Sequence, residues 1–146
     1  MFTNILVPTD GSDQSQRAVR TGVDLAKLHQ AKVTGIHVIP DYHLLIAYEG
    51  AFDPVTEERI EEEARERAER YLDFVRKTAQ TAGVPCDTVC ETSDHPYDAI
   101  LKTAEARGCD LILMTSHGRK GLAAVLLGSE TRKVLTHTRV PVLVVR

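Results

Sequence analysis

Cysteine is scarce in this chain. Cys86, Cys90 and Cys109 are too few, and odd in number, for a disulfide framework. Long hydrophobic runs are missing too; none approaches the ~20 apolar residues needed to cross a bilayer. Positive charge is not in excess, since the net charge is -3 at pH 7. That argues against a polyanion such as DNA or RNA as the main partner. The opening residues Met1-Phe2-Thr3-Asn4 carry no basic stretch ahead of an apolar core, so no secretory leader is expected. These absences leave a reduced, cytoplasmic globular protein without membrane or nucleic-acid partners as the expectation. A length of 146 residues, with 42% hydrophobic and 27% charged residues, fits one domain over 1–146. A chain of that size buries about 68–70% of its unfolded surface and needs no staple.

Strand and helix signals alternate along the chain. Asn4-Ile5-Leu6-Val7-Pro8 is a short continuous apolar run, the pattern of a strand buried on both faces. It ends in the turn cluster Thr9-Asp10-Gly11-Ser12, where Ser12 is placed to cap a helix carrying Ala18, Val19, Gly22, Leu25 and Ala26 on one face. Ala31 to Ile39 reads as a second strand. Residues 40–53 have no period but are unusually apolar, which suits local packing, a subunit contact or a flap over a site. Asp53-Pro54 opens a long helix with the apolar stripe Ile60, Ala64, Ala68, Tyr71, Val75 and Ala79. Its charge run supplies the i,i+4 pairs Glu61/Arg65, Glu63/Arg67 and Glu66/Arg70, the mark of a solvated face. Val84 to Cys90 alternates as an edge strand with a proline. Pro96 begins another helix that stops at Gly108. Asp110 to Thr115 is a buried strand, a helix capped by Ser129 follows, and Val140 to Val145 is the last strand.

Five strands separated by helices imply an α/β fold, an open five-stranded parallel sheet with helices on both faces; with strand 1 central the order is 3-2-1-4-5. Ligands in such sheets bind beyond the carboxyl ends of the strands where the order reverses. That places function between Pro8-Thr9-Asp10 and Met114-Thr115-Ser116. After the fourth strand the chain runs from Ser116 to Thr131 through Gly118, Gly121 and Gly128. Glycines let amides face a ligand, and a helix starting at Gly128-Ser129 offers unpaired amides and a positive dipole end. Arg119 or Lys120 could add counter-charge. The same pattern also fits an ordinary strand–loop–helix connection in which Ser129 only caps. Neither G-x-x-x-x-G-K-[ST] nor G-x-G-x-x-G is present. No Ser/His/Asp grouping or carboxylate pair can be assigned, so no hydrolytic machinery is expected.

Three segments resemble the universal stress protein family: Ile5 to Ser12, Gly108 to Met114, and the glycine loop with Gly128-Ser129 and Val140 to Val145. ATP-binding members of that family show G-x-x-G, nine residues, then G-[ST]. Here Gly118 matches the second glycine, Arg119 to Leu127 the nine residues, and Gly128-Ser129 the end; Thr115 stands at the first glycine. The resemblance implies a Rossmann-like domain of the adenine-nucleotide-binding type, holding ATP, ADP or AMP with Mg²⁺ on the phosphates. It implies that Pro8, Thr9 and Asp10 line one wall, with Asp10 toward ribose or adenine. Val38 meets adenine through its backbone, and Met114 and Thr115 form the floor. Gly118, Arg119, Gly121, Gly128, Ser129, Glu130 and Thr131 surround the phosphates. The Glu130 carboxylate then has to point away or toward a metal ion. The family also implies a homodimer through strand 5, residues 140–145, an edge that must be covered.

The function expected is therefore a nucleotide-dependent stress or signalling module with slow or no hydrolysis. A member that acts without ATP through protein contacts is one alternative. An ATP-pyrophosphatase-like enzyme is another, although Thr9-Asp10-Gly11-Ser12-Asp13 does not fit the S-G-G-x-D-S turn of those enzymes. Gly118-Arg119-Lys120-Gly121 also mimics the GXXG clamp of KH domains, which joins two helices. Cys86 and Cys90, four apart on a strand, lie about 13 Å from each other and cannot chelate one ion together. Cys109 reads as packing. His117 lies near the expected phosphates, as a loop hydrogen bond or as a ligand contact.

Overall fold

A computed structural model describes residues 1–41, 54–118 and 127–146. Among these residues the elements are β1 (Asn4–Pro8), α1 (Asp13–His29), β2 (Lys32–Ile39), α2 (Pro54–Ala82), β3 (Cys86–Thr92), α3 (Pro96–Ala106), β4 (Leu111–Thr115), α4 (Ser129–His137) and β5 (Val142–Val145). The strands form the parallel sheet that the alternation predicts, in the expected order β3-β2-β1-β4-β5 with strand 1 central. No helix among the described residues is long and apolar enough to cross a membrane. The stretch 42–53, read as packing, contact or flap, lies outside the described residues.

β1 is central, and its side chains alternate between two cores. Ile5 and Val7 pack with Val19, Val23, Val75 and Ala79 of α1 and α2. Leu6 packs on the other face with Ile36, Ile100, Ile112 and Val134, which brings in α3 and α4. Ile5, Leu6 and Val7 are all fully buried, which is why the run reads apolar without a break. Ser12 caps α1 as expected, its hydroxyl accepting from the Ser15 N–H at 3.2 Å.

Several local expectations are corrected. The stripe of α2 runs through Leu72 rather than Tyr71; Tyr71 is half-buried and turned toward the carboxyl end of the sheet. Glu61–Arg65 forms at 3.7 Å, but Glu63 pairs with Arg59 at 3.8 Å instead of Arg67. Glu66–Arg70 is not among the ion pairs of the described residues. Such exposed pairs contribute about 0.3–0.5 kcal/mol each, so side-chain entropy and alternative partners decide which form. The edge strand lies at Cys86–Thr92, two residues later than expected. β5 starts at Val142 because Pro141 has no N–H for the ladder, although its carbonyl accepts from the Ile112 N–H at 2.9 Å.

One carboxylate ties the amino end of the sheet together. Asp110 accepts from the Thr3 N–H at 2.8 and 3.0 Å, the Thr3 hydroxyl at 2.7 Å and the Asn4 N–H at 3.1 Å. Desolvation pushes its pKa up, but the hydrogen bonds from Asn4 and Thr3 outweigh it, and the net shift is downward. A folded pKa below the unfolded value stabilises at all pH above about 3.9, and that stability is lost as pH falls through the folded pKa. Asp110→Asn is expected to cost about 1 kcal/mol at pH 7, reduced by solvent screening. The gap from wild type should close below about pH 4. Urea melts at both pH values check this; a gap that persists in acid would show that the ionised carboxylate is not the source.

Candidate functional site

Strand order reverses between β1 and β4, and a cleft of ≈ 310 Å³ is found elsewhere, beside β3 and α3, while a larger one of ≈ 580 Å³ opens at this reversal. Eleven of the thirteen expected site residues line the larger cleft: Pro8, Thr9, Asp10, Val38, Met114, Thr115, Gly118, Gly128, Ser129, Glu130 and Thr131. The other two, Arg119 and Gly121, lie outside the described residues. The volume suits a small organic ligand, since such clefts run to about 300–1,000 Å³.

The turn after β1 forms one wall. The Thr9 N–H donates to the Ile36 carbonyl at 2.9 Å, adding a rung beyond Pro8. The Thr9 carbonyl accepts from His37 Nδ1 at 2.7 Å, which fixes the proton on that nitrogen. Asp10 Oδ1 accepts from the Ser12 N–H at 3.0 Å and the Ser12 hydroxyl at 2.5 Å. Gly11 has φ +77, and a Cβ there would collide with the Tyr71 ring, so only glycine serves. Across the cleft, a Cβ on Gly118 would lie 2.6 Å from Asp10 Oδ2. The absence of a side chain at 118 is what lets the loop after β4 approach the Asp10 turn.

β2 runs farther than β1. Pairing with β1 ends at Pro8↔Ile36, while pairing with β3 continues to Ile39↔Thr92. In a parallel strand alternate residues turn their N–H and C=O to the same neighbour. Ile36 faces the β1 side, so Val38 does as well, at a level where β1 has ended. Val38 thus offers one donor and one acceptor to the cleft.

The opposite wall is the start of α4. Gly128, not Ser129, is the N-cap, with φ -56 and ψ 152 and no side-chain cap bond. Ser129 is the first helical residue, because the backbone already has helical pairing from the Arg132 N–H to the Gly128 carbonyl at 3.0 Å. The Gly128 N–H is used by the Ser116 carbonyl at 2.6 Å. The N–H groups of Ser129, Glu130 and Thr131 have no acceptor among the described residues. They are the amides that a helix start leaves open, at its positive dipole end. Side chains that could obstruct them are engaged elsewhere. The Thr115 hydroxyl donates to the His117 carbonyl at 2.7 Å, and the Thr131 hydroxyl to the Thr115 carbonyl at 2.8 Å. His117 Nδ1 lies 3.1 Å from the Ser116 hydroxyl, a hydrogen bond within the loop.

Glu130 points away from the open amides. Its Oε2 accepts from the Tyr97 N–H at 2.9 Å, and its Oε1 accepts from Lys133 Nζ at 2.9 Å. It therefore caps α3, whose own N-cap residue His95 makes no side-chain cap bond. Glu130→Ala is expected to destabilise the fold by about 1 kcal/mol, as loss of a cap does, and to speed hydrogen exchange in the first turn of α3. An unchanged thermal melt and unchanged exchange would contradict this capping role.

The cleft also contains residues that sequence reasoning missed. His37, Ile39 and Pro40 come from the end of β2, Ala64, Arg67 and Tyr71 from α2, and Pro96 and Ile100 from α3. His37 and Tyr71 meet edge to face, with ring centroids 5.1 Å apart. The one available signal was Tyr71 itself, an aromatic that the sequence pattern assigned to the apolar stripe of α2. Among the described residues no group of three His, Cys, Asp or Glu is placed to hold a metal ion. Burial pushes up the thiol pKa of Cys86, Cys90 and Cys109, so none is an activated nucleophile. Gly118 follows a strand, β4, and not a helix, which removes the two-helix setting that a KH clamp needs.

Comparison with known proteins points the same way. The family model described as universal stress protein family matches residues 1–146. Universal stress protein YxiE of Bacillus subtilis is 33% identical over 149 residues, covering 100% of each chain. The solved structure of MJ0577, a universal stress protein of Methanocaldococcus jannaschii, superposes with a TM-score of 0.85 at 29% identity, over 99% of this chain and 96% of that one. Two further structures share the fold: a universal stress protein in complex with cAMP, TM-score 0.72 at 24% identity, covering 99% of this chain and 97% of the other. The second, from Archaeoglobus fulgidus in complex with dAMP, has a TM-score of 0.71 at 20% identity, covering 99% and 98%. With the family matched end to end and relatives of this similarity, the chain belongs to the universal stress protein family.

Proposed function

We propose that this protein binds an adenine nucleotide, ATP with Mg²⁺ foremost, and works as a nucleotide-dependent stress or signalling module with slow or no hydrolysis. The observation that carries the reading is the trio of open amides on Ser129, Glu130 and Thr131 at the end of a cleft whose other end offers the backbone edge of Val38. A donor and an acceptor side by side match adenine N1 and its exocyclic amine. Apolar Pro8, Ile36, Ile100 and Met114 suit the faces of the base. Asp10 stands between the two ends, where a ribose would lie. The amides and Gly118 would take phosphate oxygens, joined by Arg119 and Gly121 of the same loop. Mg²⁺ would be held by the phosphates themselves, since it keeps most of its own waters and needs few protein ligands. The cAMP and dAMP complexes of two fold neighbours support the ligand class. Glu130, the carboxylate of α4 beside the amides, is occupied as a cap, so among the described residues of that helix none is left as a base to orient water.

Isothermal titration of Mg·ATP into protein stripped of copurified ligand tests the reading. Saturable heat at tens of micromolar or below is expected. No heat would remove the nucleotide and leave the alternative, a family member acting through protein contacts.

The same reading includes a homodimer through β5. β5 is a sheet edge, and Leu143 is 41% exposed on it, a feature that invites pairing. Leu143→Arg is expected to give monomers in sedimentation with the fold intact. A dimer that survives the substitution would place the contact elsewhere.

A further inference from the structure

We infer that Arg67 of α2 is a positioning residue that covers the purine ring. The inference rests on the nucleotide reading above and assigns a contact which that reading leaves open. Arg67 is half-buried on the wall of the large cleft. Its helical neighbours fix where on the wall it stands. Ala64, three residues before it, packs with Ile39, and Tyr71, four residues after it, meets His37. Residues at these spacings share a helix face. Arg67 therefore sits over the carboxyl end of β2, beside Val38, where the base would bind, and not over the start of α4, where the phosphates would.

Its charge is also uncommitted. Arg59, Arg65, Arg76 and Lys77 of the same helix each meet a carboxylate of that helix. Arg67 makes no ion pair among the described residues, because Glu63 is taken by Arg59. The guanidinium of a half-buried arginine on a largely apolar wall gains from an electron-rich partner. A planar aromatic face provides one, and the flat guanidinium stacks on it better than an ammonium would. Arg67 thus closes the slot on the side opposite the sheet.

Calorimetric affinities for adenosine, AMP, Mg·ATP and inorganic triphosphate, measured for wild type and Arg67→Met, test the assignment. Met keeps the stem and loses the charged plane. The expected result is a loss of about tenfold, equal for adenosine, AMP and Mg·ATP, with inorganic triphosphate unaffected. The near-ultraviolet difference spectrum of bound adenine should change in the same variant, which a merely structural role would not produce. A loss confined to Mg·ATP and triphosphate would overturn the assignment and place the guanidinium on the phosphates; equal affinities in both proteins would overturn it as well. Should Arg67→Met lose its cooperative melt, Arg67→Gln is measured in its place against the same outcomes. If wild type binds none of the four ligands, the nucleotide reading falls and this assignment with it. If wild type binds and the variant binds equally, only the assignment falls.

Discussion

Gly118→Val is expected to weaken Mg·ATP binding by about ten- to a hundredfold while the protein stays folded. The first atom of the new side chain alone would lie 2.6 Å from Asp10 Oδ2. Asp10 cannot simply swing aside, because its other oxygen is held by the Ser12 N–H and hydroxyl. Overpacking of this sort costs about 1–3 kcal/mol, which is relieved in the free protein by moving residue 118 off Asp10 and must be met again when a bound ligand needs both in place. Converted at 1.4 kcal/mol per decade, that range gives the stated loss. The contact is on a cleft wall and not in either core, so the melting temperature should fall by a few degrees only. Titration calorimetry and a thermal melt on the same sample separate the two effects. Unaltered affinity would mean that the approach of the loop to Asp10 has nothing to do with the ligand.

Leu6→Ala is expected to produce the largest loss of stability, about 3–5 kcal/mol. Leu6 is fully buried in the middle strand, and its side chain joins Ile36, Ile100, Ile112 and Val134 from four other elements. Removing three carbons there forfeits transfer energy and leaves a cavity that strands on both sides cannot collapse to fill. For a domain of total stability about 5–15 kcal/mol this removes a third or more of the margin. A urea melt should show a lower midpoint with an unchanged slope. A loss under about 1 kcal/mol would mean that the sheet interior is far more plastic than close packing allows.

The architecture was legible because it rests on local signals repeated five times. Runs such as Ile5-Leu6-Val7 and Leu111-Ile112-Leu113 are apolar throughout, since both faces of a parallel strand are covered. The helix start at Gly128-Ser129 was legible for a similar reason: a helix start after glycine is written in consecutive residues. Boundaries were less so. Gly128 took the capping place assigned to Ser129 because its extended backbone and the following helical bond decide the cap, and neither residue type excludes the other. What long-range packing decides could not be read at all. Arg67 had an apparently good partner in Glu63, but a helix with carboxylates at many positions offers each arginine several, and the choice made was Arg59. That Glu130 reaches the amino end of α3 depends on how α3 and α4 lie side by side, 33 residues apart in sequence.

Amide NMR during titration with Mg·ATP and, separately, with adenosine tests the central claim most directly. The amides of Ser129, Glu130 and Thr131 should shift saturably with Mg·ATP and little with adenosine, while that of Val38 shifts with both. Resonances of all four that stay in place at millimolar Mg·ATP would contradict nucleotide binding in this cleft.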